Sequence, residues 1–262
     1  MPRNSTTSLP WRTAAPSWVI PGTPAENRAF LGPRFTDIGL YFLESHPCLA
    51  YAPKDLPGDD GRTTYHVHLP LDLPWEAGAT AVFDLTARLL DKAAHLRPWG
   101  FVLHPPRLPG LLAEFMDLWR TSGRDPADIL LENVEEAGEQ ALWPAARDLG
   151  AGLCLDVGHM LAFGQTSLLA MPGIFEQTRL VHAYAPYDPR NERDAARWRL
   201  PEREHRHRTL AALDREGRDA LRTILTGIGP EAVVMFEVFD AAALSESEAA
   251  FAGLCREWGF SS

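Results

Sequence analysis

The stretch Leu153-Cys154-Leu155-Asp156-Val157-Gly158-His159 predicts a buried strand that ends in chemically active side chains. Its apolar residues run directly into an acid, a glycine and a histidine, which is typical of a parallel strand covered on both faces. Folds of the α/β class place their functional residues at the carboxyl ends of such strands. A buried Asp156 and a His159 three residues later both need partners, and a metal ion is a partner that suits both.

The rest of the chain repeats this arrangement. About eight predicted strands alternate with helices, which indicates one parallel barrel rather than separate layers. The length of 262 residues and the hydrophobic content of 45% suit a single core of this kind. We therefore predict an α/β fold, a single (β/α)8 TIM barrel over residues 17–262. Residues 1–16 are predicted to be a flexible leader, because Pro2, Pro10 and Pro16 disfavour regular structure.

Charge and cysteine content restrict the partners and the compartment. The net charge of −10 offers no broad basic surface, which disfavours nucleic acid as a partner. No apolar run is long enough to span a membrane, and no apolar core of a signal peptide is visible. Cys48, Cys154 and Cys255 are odd in number and lack CxxC spacing, which is typical of free thiols in a reducing compartment. We expect a cytoplasmic protein with a small-molecule substrate and no membrane partner.

Six ionisable residues fall at or near the ends of six different predicted strands. They are His68, His104, Glu132, Asp156, His182 and Glu237. Closure of a barrel would bring these side chains to one mouth. One such residue alone is more often structural, but three carboxylates and three imidazoles together need cations. The mixed set suits Zn²⁺, Mn²⁺ or Fe²⁺, because imidazole is a borderline ligand. Glu132 is the natural bridging carboxylate if two ions lie about 4 Å apart.

Further histidines surround this set. His159 follows the organising strand, while His205 and His207 lie in a long polar segment before the last predicted strand. These three could supply another group of ligands, although the segment that contains the last two is alternatively a solvated run of charges. His66 shares a strand face with His68 but lies deeper, so we expect it in the core or behind the ligands.

The ordered ligand set, with its motif Asp156-Val157-Gly158-His159, resembles the metal site of the xylose isomerase-like barrel superfamily. Within that superfamily, the order is similar to the trinuclear site of the endonuclease IV type. The resemblance implies two or three divalent transition metal ions per chain. It groups the ligands as His68, His104 and Glu132 for one ion; Glu132, Asp156, His182 and Glu237 for a second; and His159, His205 and His207 for a third. The endonuclease pattern has an aspartate where this chain has His205.

The segment His66-Val67-His68-Leu69-Pro70-Leu71-Asp72-Leu73-Pro74-Trp75 resembles the cobamide-remodelling phosphodiesterases of this superfamily. Those enzymes hydrolyse a phosphoester bond in the nucleotide loop of corrinoids, so the resemblance implies a metal-dependent phosphoric diester hydrolase. Trp75 could contact a large planar ligand, or it could simply cover the barrel rim. The other predicted substrate contacts are Asp72, Asn133, Arg193 and Trp198. The last two lie on a segment that is alternatively a surface loop.

We expect Glu132 and Glu237 to be the catalytic residues, as metal ligands and proton acceptors. Two other enzyme classes fit the same ligands. An endonuclease acting on abasic DNA has a similar ligand order, although the acidic charge disfavours it.

A sugar isomerase or epimerase needs only Glu132, Asp156, His182 and Glu237 around one Mn²⁺, with the two glutamates as acid and base. The additional imidazoles argue against that class, since a single ion has no use for them. A protein that only stores a corrinoid or a metal is a further alternative, and a mouth lined with water-activating ligands argues against it.

Overall fold

The computed structural model describes residues 9–135, 139–187 and 207–260. Within these ranges, eight parallel strands form a closed barrel in chain order, and the last strand pairs with the first. The strands are β1 (Arg12–Pro16), β2 (Asp37–Tyr41), β3 (Thr64–His68), β4 (Phe101–Leu103), β5 (Ile129–Glu132), β6 (Gly152–Asp156), β7 (Thr178–His182) and β8 (Val233–Met235). The predicted α/β fold class, a (β/α)8 TIM barrel, is therefore confirmed.

Helices follow the strands and cover the outside of the barrel. In the described ranges they are α1 (Pro24–Leu31), α2 (Ser45–Leu49), α3 (Ala79–Ala93), α4 (Pro109–Thr121), α5 (Glu139–Leu149), α6 (Val157–Ala162), α7 (Ile174–Gln177), α8 (Arg215–Gly227) and α9 (Ala241–Trp258). α1 begins with a capping box in which Thr23 and Glu26 exchange hydrogen bonds, with Pro24 at the first helical position. None of the helices in the described ranges combines the length and apolarity that a membrane crossing requires.

Side chains on the strands alternate between two hydrophobic clusters. The larger cluster lies between the strands and the helices, and on β6 it includes Leu153 and Leu155. The smaller cluster fills the barrel interior with Ala14, Tyr41, Val102, Leu130, Cys154, Leu180, Val233 and Met235. Because Asp156 has the same parity on β6 as Cys154, its side chain also faces inward. The carboxyl ends of the strands therefore present polar side chains above an apolar layer.

The first strand lies inside the segment that the sequence predicts to be a flexible leader. β1 covers Arg12–Pro16, and residues 17–20 form turns and bends after it. A proline fits at the end of β1 because the pairing with β8 ends at Ala14. The pairing with β2 continues through the N–H of Ser17, which donates to the Gly39 oxygen at 2.8 Å. The predicted domain boundary at residue 17 is therefore wrong, since the barrel includes residues 12–16.

Asp37 organises a buried polar network at the amino-terminal end of the barrel. Its carboxylate accepts hydrogen bonds from Arg12 at 3.0 Å, from His66 Nδ1 at 2.7 Å and from Trp99 Nε1 at 2.7 Å. Thr64 Oγ1 donates to the same group. Burial opposes the charge, but the hydrogen bonds from His66, Thr64 and Trp99 hold the pKa of Asp37 below its usual range. His66 is fully buried here, which confirms that it is a core residue.

We predict that Asp37→Asn lowers the free energy of unfolding by about 2 to 4 kcal/mol at neutral pH, because it removes a buried charge with several donors. Since the pKa of Asp37 is lowered by folding, this stabilisation is present above the ordinary aspartate pKa of about 4 and is lost as the pH falls. Urea unfolding of both proteins between pH 3 and pH 7 measures the difference. Asp148→Asn removes an exposed pair with Arg147 and should change stability by less than about 0.5 kcal/mol. Equal losses in the two variants would contradict the prediction.

Candidate metal centre

The six strand-end residues meet at the carboxyl-terminal mouth of the barrel, as the sequence predicts. Four of them are at the ends of β3, β5, β6 and β7, one directly follows β4, and one lies two residues beyond the end of β8. They are His68, Glu132, Asp156 and His182, with His104 and Glu237. All except His104 are buried. Their potential ligand atoms form overlapping groups in which all atoms lie within 4.8 Å of one another.

The first group joins His68, His104 and Glu132. Nε2 of each histidine lies 3.2 Å from Glu132 Oε2. Nδ1 of His68 lies 2.9 Å from the Leu69 carbonyl oxygen, and a hydrogen bond there leaves Nε2 as the ligand atom. His104 is the most accessible of the three, with a side-chain exposure of 31%, so it lies at the edge between the buried cluster and the outside.

The second group joins Glu132, Asp156, His182 and Glu237. Nδ1 of His182 lies 3.4 Å from Glu132 Oε1, 3.6 Å from Asp156 Oδ2 and 3.3 Å from Glu237 Oε1. Glu132 therefore presents one oxygen to the first group and the other oxygen to the second. A carboxylate with this arrangement is suited to bridging two ions.

The residues fit a divalent metal because their facing atoms do not satisfy one another. Both oxygens of Glu132, both ring nitrogens of His182, Asp156 Oδ2 and Glu237 Oε2 are buried and have no hydrogen-bond partner among the described residues. The nitrogen–oxygen separations of 3.2 to 3.6 Å match the roughly 3.4 Å expected between two ligands of one tetrahedral ion. Buried polar atoms of this kind are costly unless a cation satisfies them.

The electrostatics of the cluster show the same need for positive charge. Burial, followed by the charges of Glu237 and Glu132, raises the pKa of Asp156 to about 7, although His159 and His182 oppose this rise. Burial also opposes the charge of Glu132, but the adjacent imidazoles of His104 and His182 hold its pKa well below the usual range. Asp156 thus loses its charge near neutral pH, whereas Glu132 keeps its charge. A bound cation would let both ionise.

Asn133 holds two strand ends of this cluster together, and its direct contact with substrate stays a prediction. It is fully buried, its Oδ1 accepts from the Asp156 N–H at 2.8 Å, and its Nδ2 donates to the Asp156 carbonyl at 2.9 Å. Gln165 Oε1 accepts from the same Nδ2 at 3.2 Å. The amide therefore fixes the end of β6 beside the end of β5, and this holds two ligand-bearing strand ends in register.

His159 and His207 present a similar arrangement above the second group. Nδ1 of His159 lies 3.0 Å from the Asn133 carbonyl oxygen, and Nδ1 of His207 lies 2.6 Å from the Glu237 carbonyl oxygen. The same Nδ1 atoms lie 3.3 Å from Glu132 Oε1 and from Glu237 Oε2, so both rings border the second ligand group. His205, the remaining predicted ligand of the third ion, lies outside the described residues, as do Arg193 and Trp198 of the predicted substrate contacts.

An apolar groove opens beside His104 and contains Trp75. It has a volume of about 570 Å³ and is lined by residues of the loops after β3 and β4, together with Val134. Trp75 is half-buried, and its ring lies 5.8 Å from that of Phe115, centroid to centroid. Leu71 and Leu108 are 58% and 65% exposed at this groove. Large apolar side chains so exposed are typical of a binding surface.

Asp72, another predicted substrate contact, has a structural partner. Its Oδ1 accepts from the backbone N–H of Ser45 at 2.8 Å and from the Ser45 hydroxyl at 2.7 Å. These hydrogen bonds tie the loop after β3 to the start of α2. The structure therefore shows Asp72 positioning the wall of the groove, and direct contact with substrate stays a prediction.

Two tyrosines of the centre are absent from the sequence prediction. Tyr41 ends β2, donates a hydrogen bond to Glu237 Oε1 and stacks on His68 with ring centroids 4.9 Å apart. Tyr184 lies two residues beyond His182 and stacks on His207 at 3.8 Å. Both follow the rule that located the ligands, because Tyr41 ends a strand and Tyr184 has the same parity as His182.

The comparisons with known proteins show the fold. No protein-family model and no curated protein matches the chain. A D-tagatose 3-epimerase-like protein is 16% identical with a TM-score of 0.67, and the alignment covers 95% of this chain and 98% of that one. A protein described as IOLI with a bound zinc atom is 14% identical with a TM-score of 0.65 over 95% and 99%. A xylose isomerase domain containing protein from Salmonella typhimurium is 16% identical with a TM-score of 0.59 over 95% and 97%.

We predict that Glu132→Gln lowers metal affinity more than about 100-fold, because a bridging ligand contributes more than the outer-shell partners whose loss costs about 10- to 100-fold. Metal content after dialysis, measured by inductively coupled plasma mass spectrometry, should fall to less than half of the wild-type value. The control is Glu231→Gln, which changes an acid at the opposite end of the barrel and should retain its metal. Retention of all ions by Glu132→Gln would contradict the bridging role.

Proposed function

We propose that this (β/α)8 barrel, which shares its fold with xylose isomerase-like proteins, is a metal-dependent phosphodiesterase with two or three divalent transition metal ions, Zn, Mn or Fe, per chain. The observation that carries this proposal is the division of Glu132 between two ligand groups, with Oε2 facing His68 and His104 and Oε1 facing His182. Two ions that share a carboxylate form the usual clamp on a phosphoryl group.

The residues of this centre have different proposed roles. Bound ions would polarise the phosphoryl group and favour attack by water. Glu132 and Glu237 would hold the ions, and the Tyr41 hydroxyl orients Glu237 through its hydrogen bond to Oε1. Asn133 fixes the end of β6 that carries Asp156. His104, the most exposed residue of the first group, places the phosphoester where the groove meets the cluster.

The groove supports a substrate with a bulky apolar part beside its phosphoester. Its walls are contributed mainly by prolines, leucines and Trp75, with Arg107 and Glu76 as the charged residues among its lining. Such a surface suits a large, partly planar organic group better than a sugar or a polynucleotide. We propose the nucleotide loop of a cobamide as the substrate, with the corrinoid against Trp75. The net charge of −10 disfavours a nucleic acid partner.

We also propose that the protein is located in the cytoplasm. Cys48, Cys154 and Cys255 are all free and buried, which suits a reducing compartment.

A sugar epimerase is the second candidate. The group Glu132, Asp156, His182 and Glu237 suffices for one ion, and the D-tagatose 3-epimerase-like protein shares the fold. In that function the two glutamates would act as acid and base on a hydroxy-carbonyl sugar. The pairing of His68 and His104 with the same Glu132 favours the phosphodiesterase, because a single ion leaves this pair without a use.

The experiment that tests the proposal incubates protein reconstituted with Zn²⁺, Mn²⁺ or Fe²⁺, without oxygen, with a cobamide, a duplex that contains an abasic site and a panel of ketoses. We expect mass spectrometry to detect a corrinoid that has lost its lower nucleotide, and we expect His104→Ala to abolish this product. His95→Ala, which changes a histidine near Pro57 outside the mouth, should behave as wild type. A nicked duplex or an epimerised ketose in place of the corrinoid product would reject the cobamide assignment.

A substitution in the groove tests the proposed binding of the cobamide separately from the proposed hydrolysis. Leu108→Glu adds a charge to the apolar wall and should raise KM for the cobamide about tenfold, while the small diester bis(4-nitrophenyl) phosphate keeps its KM. The exposed Leu108 precedes α4, where an acid does not oppose folding. Phe30→Glu, at a similarly exposed position on α1, is the matched control and should leave both values unchanged. A KM for the cobamide that Leu108→Glu leaves unchanged would remove the groove from the substrate site.

A further inference from the structure

The chain after β7 places an aromatic residue against the predicted ligands. An isolated antiparallel bridge joins Ala185 to Arg208, with N–H to oxygen distances of 3.1 and 2.9 Å. This bridge brings His207 onto the ring of Tyr184, where the two rings are parallel within 4° and 3.8 Å apart. The ring of His159 contacts the edge of Tyr184 at a centroid distance of 6.3 Å.

The opposite side of the Tyr184 ring lies against the backbone at Gly158. A β-carbon at position 158 would lie 2.1 Å from two ring atoms, so a residue with a side chain has no room there. The glycine of the motif Asp156-Val157-Gly158-His159 is thus explained by the close approach of Tyr184. With His207 on one face and Gly158 on the other, the ring has one position.

The hydroxyl of Tyr184 is buried and has no hydrogen-bond partner among the described residues. A buried hydroxyl without a partner is costly, and such atoms often serve a ligand. The ring of Tyr184 contacts those of His159 and His207, whose Nδ1 atoms lie 3.3 Å from Glu132 Oε1 and from Glu237 Oε2. Tyr184 therefore borders the second ligand group.

We propose that Tyr184 is a catalytic residue whose hydroxyl donates a hydrogen bond to a phosphoryl oxygen of the bound substrate. This inference rests on the proposed phosphodiesterase function. The donor is held rigidly before substrate arrives, which is the condition under which one hydrogen bond contributes most to stabilising charge in a transition state. No ligand role is needed for the phenol, because the acids and imidazoles already supply the ligands of both groups.

The test compares Tyr184→Phe with wild type in two assays. Isothermal titration of metal-loaded protein with inorganic phosphate should show affinity about 10- to 100-fold weaker in the variant, the usual effect of one hydrogen bond to a charged group. Hydrolysis of bis(4-nitrophenyl) phosphate should show kcat about 100-fold lower with little change in KM. Metal content, measured in parallel, should be the same in both proteins.

Tyr65→Phe is the matched control. Tyr65 is also buried with a hydroxyl that has no partner among the described residues, but it lies in the outer cluster near Arg28. It should leave phosphate affinity and kcat unchanged. Unchanged phosphate affinity in Tyr184→Phe, or lost metal, would overturn the role of Tyr184. Wild-type protein that binds phosphate but hydrolyses no diester would reject the proposed function alone, and the titration would still decide the hydrogen bond.

Discussion

The buried carboxylate of Glu132 needs a positively charged partner, and the arrangement of the barrel mouth depends on this need. It is fully buried at the end of β5, and neither oxygen has a hydrogen-bond partner among the described residues. A bare carboxylate in such a place would lose its proton only at a large cost. Two imidazoles beside Oε2 and two beside Oε1 reduce this cost but do not satisfy the oxygens. Metal binding and folding of the mouth should therefore be coupled.

The ligand cluster that needs a cation and the polar network around Asp37 lie at opposite ends of the barrel. Below the ligands, the interior is filled by apolar residues with Cys154 and Tyr41 among them, and below that layer Asp37 gathers four donors at the amino-terminal end. The lower network satisfies its charge entirely within the chain. The upper cluster does not, although both ends are built from the same inward-facing positions of parallel strands. The contrast supports the upper end as the candidate functional end, which is also where barrels of this kind carry their sites.

The sequence allows the ligand positions to be predicted because two simple rules act together. Alternation along a strand decides which side chains point inward, and parallel closure brings all carboxyl ends to one mouth. These rules do not predict β1, because Pro16 disfavours regular structure and suggests a flexible leader. The structure shows that a proline fits there, since the pairing of β1 with β8 ends before it. The hydrogen bonds of Asn133 to the Asp156 backbone could not be predicted, because an amide beside a ligand has the same sequence signature whether it faces substrate or holds a neighbouring strand.

Under the proposed function, the residues for the chemistry and those for substrate recognition lie in different parts of this molecule. The ligands are fixed by strand ends, whereas the groove beside His104 is built mainly from the loops that follow β3 and β4. Loops can change without disturbing the strands, so barrels of one fold can share a centre and act on different substrates. Similarity of fold at 16% identity therefore says little about the substrate. The walls of the groove carry more information, because under the proposed function an apolar surface next to bound metal ions favours a molecule with both an apolar body and a charged ester.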